Sequence, residues 1–378
     1  MARHKNYFLL PACLAVSLAT PAGAQDFSKG ADAYNRGNYT AALLAWRPLA
    51  DQGNAKVQYI LGTMYLKGYG TPADYREAMS WFRKAAEHGN TRAQIMIGIL
   101  YETDGVGLPR DLAESMKWYR MAAEQGDPVA QSLVGDAFRT GRLGTQDFSE
   151  AIRWYQLAAK AGSPSAEFDL GLMYANGQGV AQDDAQAAAW FREAALQSPS
   201  AGADDIAKQD IHRSSATAQF SLGVMYANGR GVPQDYSQAA QWYRAAAEQG
   251  YPDAAGNLGA MYMMGQGVSQ DYSEALKWSL KAANQGYAQA QSVLGLLYTL
   301  GEGVPKDYVM AEMWFDLAIA RYMPSDANAQ TKTMQYRSLI ENSMTAAQVD
   351  EGRRRAAVWR QSIPSWNNDI VTVKKSSG

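Results

Sequence analysis

Asp210, His212 and Ser214 stand at alternate positions of one short segment, and an acid, an imidazole and a hydroxyl are the groups from which an acyl-transfer triad is built. That chemistry also needs donors for an oxyanion. The surrounding stretch, 199–215, reads as a polar, irregular insertion that supplies none. Metal chemistry is no better provided for. His88 and His212 are far apart in sequence, and the one cysteine, Cys13, lies in an N-terminal leader. Four Gly-x-Gly pairs (Gly177 with Gly179, Gly229 with Gly231, Gly265 with Gly267, Gly301 with Gly303) mimic half of a dinucleotide fingerprint, yet they follow helical sequence where that fingerprint follows a strand. They read as turns. No catalytic, cofactor or metal site is expected, and the chain reads as a non-enzyme.

The leader occupies residues 1–24. Arg3, His4 and Lys5 precede an apolar stretch, and Ala22-Gly23-Ala24 precedes Gln25, which is the pattern of a secretory signal peptide cleaved after Ala24. Cleavage would remove Cys13 and leave a chain stabilised by packing alone. Of 35 basic residues, losing Arg3 and Lys5 leaves 33 against 37 acidic ones, without a long block of either sign. Nucleic acid, which demands a basic stripe, is not an expected partner. Beyond the leader no uncharged apolar run is long enough for a membrane span.

What must position any functional group here is a repeat. Gly62, Gly98, Gly135, Gly171, Gly223, Gly259 and Gly295 close the same apolar phrase at intervals of 36, 37, 36, 52, 36 and 36 residues. Trp46, Trp81, Trp118, Trp154, Trp190, Trp242, Trp278 and Trp314 run in phase with them. Within one unit Ala218, Leu222 and Tyr226 share a helical face. Gly223 sits mid-helix, where glycine costs about 1 kcal/mol against alanine, so a neighbouring element must pass too close for a side chain. Gly229 ends this first helix as a left-handed cap, and Asp235 opens a second in which Ala239, Trp242, Tyr243 and Ala246 form the inner face. The tryptophan is expected to fill the core of the pair. The aspartate recurs as Asp74, Asp111, Asp147, Asp183, Asp271 and Asp307, a set of helix-start residues.

The phrase Ala-x-x-x-Leu-Gly-x-Met-Tyr-x-x-Gly-x-Gly-Val, followed by Asp-Tyr-x-x-Ala-x-x-Trp-Tyr-x-x-Ala-Ala-x-x-Gly, resembles the Sel1-like repeat family, a relative of the tetratricopeptide repeat. The resemblance implies an all-α, right-handed α-solenoid of seven helix-turn-helix repeats with N- and C-terminal caps. It also implies a scaffold, adaptor or regulator with no catalytic residues to carry over. The expected organisation is a signal peptide at 1–24, an N-terminal capping helix pair at 25–54, seven repeats at 55–323 interrupted by the insertion at 199–215, C-terminal capping helices at 324–362 and a flexible tail at 363–378. A Thr-x-x-Gln capping box at Thr345 to Gln348 opens the last helix, with Val349, Gly352, Ala356 and Trp359 inward.

In tetratricopeptide-like units a concave surface is lined by first-helix residues flanking the packing glycine. Here those positions hold Tyr59, Ile95, Ile99, Asp136, Arg139, Phe168, Leu172, Phe220, Val224, Met263 and Leu296, the candidate partner-binding residues. Such an apolar stripe suits a peptide or a partner helix, with Asp136 and Arg139 setting orientation, although packing between repeats would use the same residue types. The expected function is a secreted or periplasmic scaffold for a protein or peptide partner. A cell-envelope hydrolase or peptidoglycan-binding protein, and a luminal adaptor of a eukaryotic secretory pathway, are the alternatives.

Overall fold

Polar caps and glycine stops, placed at a fixed interval, cut the chain into helices of nearly equal length. A computed structural model describes residues 21–103, 109–198 and 205–362, which among themselves form eighteen α-helices and no strand. Most of the expected signal peptide, the tail at 363–378 and residues 199–204 of the insertion lie outside the described residues. The leading pair is α1 (Pro21–Asn35) and α2 (Tyr39–Asp51). Four helix pairs follow: α3 (Ala55–Lys67) with α4 (Tyr75–Glu87), α5 (Thr91–Glu102) with α6 (Leu112–Glu124), α7 (Pro128–Thr140) with α8 (Phe148–Lys160), and α9 (Pro164–Asn176) with α10 (Asp184–Leu196). Three more are α11 (Asp205–Asn228) with α12 (Tyr236–Glu248), α13 (Pro252–Met264) with α14 (Tyr272–Ala283), and α15 (Ala288–Leu300) with α16 (Tyr308–Arg321). A single 3-10 turn at Pro324–Asp326 leads to α17 (Ala327–Glu341) and α18 (Ala346–Ser362). This is an α-solenoid fold. By internal contacts the chain divides into two compact units, Met1–Ser214 and Ser215–Gly378, and the division falls within α11.

All seven repeated aspartates cap the second helix of their pair. Asp235 accepts from the backbone amides of Ser237 and Gln238 at 2.8 and 3.0 Å, and the other six do the same. The Gly-x-Gly pairs are turns, as expected. Gly265 ends α13 in the left-handed region at φ 66°, and Gly267, at φ 71°, lies against the backbone of Tyr236 where the preceding second helix begins. The second glycine of the pair thus seats one repeat on the one before it.

The packing glycines have a more specific partner than a passing helix. A methyl group built on Gly62, Gly135 or Gly171 would come within 2.5–2.7 Å of the ring of Phe82, Tyr155 or Phe191, each the residue after the repeat's tryptophan. Gly98, Gly223 and Gly295 meet Tyr119, Tyr243 and Phe315 in the same way, while Gly259 meets Ser279. This corrects the expectation for Trp242. Its ring is half-buried, whereas Tyr243 beside it is 4% exposed and fills the seam.

A second correction concerns the insertion. From Asp205 onward it is helical, extending α11 to 24 residues where the other first helices have 12 or 13. Two residues along a helix turn about 200°, so Asp210, His212 and Ser214 cannot all share one face. His212 is exposed and Ser214 is buried, so the segment assembles no triad. At the C-terminus, Thr345 and Gln348 form the reciprocal capping box, Gly352 and Ala356 are buried, and Trp359 lies edge-on to Trp314 at 5.6 Å. No helix of the described residues is long and apolar enough to cross a membrane.

Candidate partner-binding face

First helices of the repeats carry the candidate residues, and their burial differs along the chain. In the first two repeats Tyr59 (7% exposed), Ile95 (6%) and Ile99 (2%) are buried, so these three pack between helices and do not present the solvent-facing stripe expected of them. Tyr59 lies on Phe82, the ring that fills the glycine seam, at 5.8 Å. Phe168 and Leu172 in α9 are half-buried, with Phe168 on Phe191 at 5.3 Å. In the second unit Phe220, Val224, Met263 and Leu296 are half-buried on α11, α13 and α15. Leu296 also packs beside Phe315 and Ile340, so α17 covers part of it.

Asp136 and Arg139 are brought together, but as an internal network. Asp136 is 8% exposed; it accepts from the Tyr155 hydroxyl at 2.7 Å and from Arg139 at 3.1 Å, and Arg139 also donates to Tyr155 Oη at 3.0 Å. The neighbouring repeat repeats the device: Tyr119 donates to Glu102 at 3.1 Å, and Arg142 pairs with Glu102 at 3.4 Å. Burial, and then the adjacent acids, push both tyrosine hydroxyls well above their ordinary pKa, so both stay protonated as donors. Glu102 and Asp136 are thus each paired with an arginine, and buried Asp169 adds its charge to the Tyr155 and Arg139 group.

One functional slot escaped the sequence reading. Gln58, Gln94, Gln131 and Gln291 are buried and donate to the carbonyls of Ala50, Ala86, Ala123 and Ala283, each eight residues earlier at the end of the preceding second helix. They satisfy the orphan carbonyls that a helix C-terminus leaves. The signal was available, because the residue four before the packing glycine is glutamine in five repeats. In the fourth it is Glu167, which accepts from Gln197 at 3.1 Å and whose carboxyl burial raises to a pKa of about 7. An ionised Glu167 has no proton to give to a carbonyl.

A further difference lies just before each first helix. Asn54, Asn90, Asp127 and Ser163 cap α3, α5, α7 and α9 with their side chains. Asp127 and Ser163 also reach the previous repeat, through Thr91 Oγ1 at 2.6 Å and Ser132 Oγ at 3.2 Å. In the second unit the equivalent residues of α13 and α15 are Tyr251 and Tyr287, which make no cap hydrogen bond. Tyr251 stacks on Phe220, with ring centroids 4.9 Å apart and 26° between planes, and Tyr287 lies across Gly256.

Helix pairs with capped starts, glycine seams and turns seated on the preceding pair define a tetratricopeptide-like repeat protein. The Sel1 repeat model matches residues 55–90, 91–127, 128–163, 164–199, 216–251, 252–287 and 288–322, and the chain belongs to the Sel1 repeat family. Sel1-repeat proteins are protein-interaction scaffolds. A Sel1 repeat protein from Oxalobacter formigenes is similar in structure at a TM-score of 0.61 and 31% identity, over 82% of this chain and 87% of that one. Also similar is c5321, a protective antigen of uropathogenic Escherichia coli with an SLR fold, at 28% identity and a TM-score of 0.42 over 93% and 94% of the two chains. No curated protein matches the chain.

Proposed function

We propose that the chain is a secreted or periplasmic scaffold that holds a protein or peptide on the first-helix face of its repeats. The observation that carries this reading is the second unit's register of half-exposed apolar residues. Each helix pair there already owns a buried core, yet Phe220, Val224, Ala260 and Met263, with Leu296 partly covered by α17, recur half-buried at its edge on consecutive first helices. Apolar side chains left in register on a rigid frame suit a partner that buries them. The leader with its Ala22-Gly23-Ala24 site supports export.

Expressing the full precursor in a bacterium tests both parts. The periplasmic fraction should contain a chain beginning at Gln25, and crosslinking there should capture a partner that a folded Val224→Asp/Met263→Asp variant loses. Retention of the full-length chain in the cytoplasm would overturn the export reading. Equal capture by the double variant would move the interface off this face.

A further inference from the structure

The apolar stripe gives no reason for choosing one partner over another, but one charge in the second unit does. Asp253, in the first turn of α13, is half-buried and has no ion-pair partner among the described residues. Burial raises its pKa, opposed only by its own backbone amide. It lies within electrostatic reach of Tyr251 and of Tyr287, raising the pKa of both after burial has done so. Around Tyr287 the next groups are Tyr243, Tyr322 and Asp326, all neutral or acidic. Tyr243 turns its hydroxyl to Asn257 and Tyr322 turns its own to Thr333. Helices α13 and α15 contain no lysine or arginine, and Arg321, beside Gly286, donates to the Gly286 carbonyl.

The first unit treats its buried acids differently. There Glu102 has Arg142 and Asp136 has Arg139, each acid beside a tyrosine hydroxyl. Asp253 occupies a different slot, six residues before the packing glycine Gly259, where the first two repeats place Lys56 and Arg92, and no arginine pairs with it. A partly desolvated carboxylate flanked by aromatic rings gains most from a cation, through the charge-assisted hydrogen bond and the ring faces together.

We propose that the second unit docks an extended segment of a partner protein presenting a lysine or arginine next to apolar residues, with the cation on Asp253 beside Tyr251 and Tyr287 and the apolar flank on Phe220, Val224 and Met263. This rests on the partner-binding reading of the same face and gives it a chemical preference.

Panning a random twelve-residue peptide library against the full mature chain, and measuring the affinities of the selected peptides, tests it. Enriched peptides should share a Lys or Arg at a fixed spacing from apolar residues. Asp253→Asn, with an unchanged melting curve, should weaken them about tenfold, as should replacing the peptide's cation by methionine, the loss typical of one charge pair at an interface. Val224→Asp should abolish binding. Apolar peptides that bind Asp253→Asn as well as the parent but fail on Val224→Asp would overturn the cation preference and leave the face intact. If Val224→Asp loses no selected peptide, both readings fall. Should soluble muropeptides bind this face while no peptide is enriched, the occupant would be a glycan and the proposal would fail.

Discussion

At the position before each first helix, the first unit carries Asn54, Asn90, Asp127 and Ser163, and the second carries Tyr251 and Tyr287. The polar set accepts orphan amides and, at Asp127 and Ser163, ties one repeat to the last through a hydroxyl. Both tyrosines give up a cap worth about 1 kcal/mol; Tyr251 leans on the previous repeat through a ring stack worth about 0.5–1.5 kcal/mol, and Tyr287 covers Gly256 there. At Tyr251 the two contributions are of similar size, so the exchange alters the surface more than the stability. The first unit pairs Glu102 and Asp136 with arginines, and the second leaves half-buried Asp253 without an ion-pair partner. Stacking fixes the glycine, aspartate and seam positions of every repeat; the remaining slots are free to make one part of the array self-contained and another receptive.

The sharpest way to break that comparison is to remove the same hydroxyl from both units. Tyr155→Phe deletes the donor to buried Asp136 and unbalances its pair with Arg139, and a hydrogen bond to a buried charge contributes about 1.5–3 kcal/mol. The loss should appear as faster amide exchange across α7 and α8. Tyr243→Phe removes a hydroxyl bonded only to a neutral amide and should cost less than about 1 kcal/mol across α11 and α12. Equal losses would mean that the first unit's networks carry no special weight.

A smaller effect should follow from the buried acids, and it depends on pH. Burial raises both Glu167 in the first unit and Glu312 in the second to about 7, above the ordinary carboxyl value. For an acid whose folded pKa is raised, the contribution to stability is whole below the unfolded value near 4.5 and is lost as pH rises toward 7. Glu312 has Arg353 at 3.3 Å, whereas Glu167 has Gln197, and the nearby Glu193 charge raises it further. Glu167→Gln restores the residue that four other repeats use to satisfy the preceding helix. It should stabilise the first unit by about 1–2 kcal/mol at pH 8, have little effect at pH 4, and flatten the stability–pH curve. Glu312→Gln should gain less at pH 8, because it also removes a partner of Arg353. A Glu167→Gln variant no more stable than the parent at pH 8 would refute this account of the slot.

Most of the fold was legible because its determinants are local and recur. Seven glycines, seven aspartates and the Gly-x-Gly turns act through backbone geometry, and backbone geometry leaves a fixed interval in the sequence. What misled was anything that depends on depth. Trp242 and Tyr243 are adjacent aromatics on one helix, and only the close approach of Gly223 shows which of them enters the seam. Charge at Asp205, Lys208, Asp210 and Arg213 suggested a loop, but polar residues are equally at home on the solvated side of a helix. The candidate face was half legible. Its slots could be counted along the repeat, yet Tyr59, Ile95 and Ile99 are buried while Val224 and Met263, on the same kind of helix, are not. That difference comes from neighbouring repeats, and no single unit encodes it.

The smallest expected effect is also the one that separates a receptive surface from a merely aromatic core. Tyr251→Asn installs in the second unit the cap that Asn54 and Asn90 provide in the first. It should recover about 0.5–1 kcal/mol from a side-chain acceptor at the start of α13 and lose a comparable amount from the Phe220 stack, leaving thermal stability within about 1 kcal/mol of the parent. Peptide binding should suffer far more than folding, because the ring beside Asp253 is gone and Phe220 loses the neighbour that orients it. If the variant were instead destabilised by about 3 kcal/mol or more, Tyr251 would belong to the core in the way Tyr243 does. The two units would then differ in how they pack, and the exposed register on α11 and α13 would have to be explained without a partner.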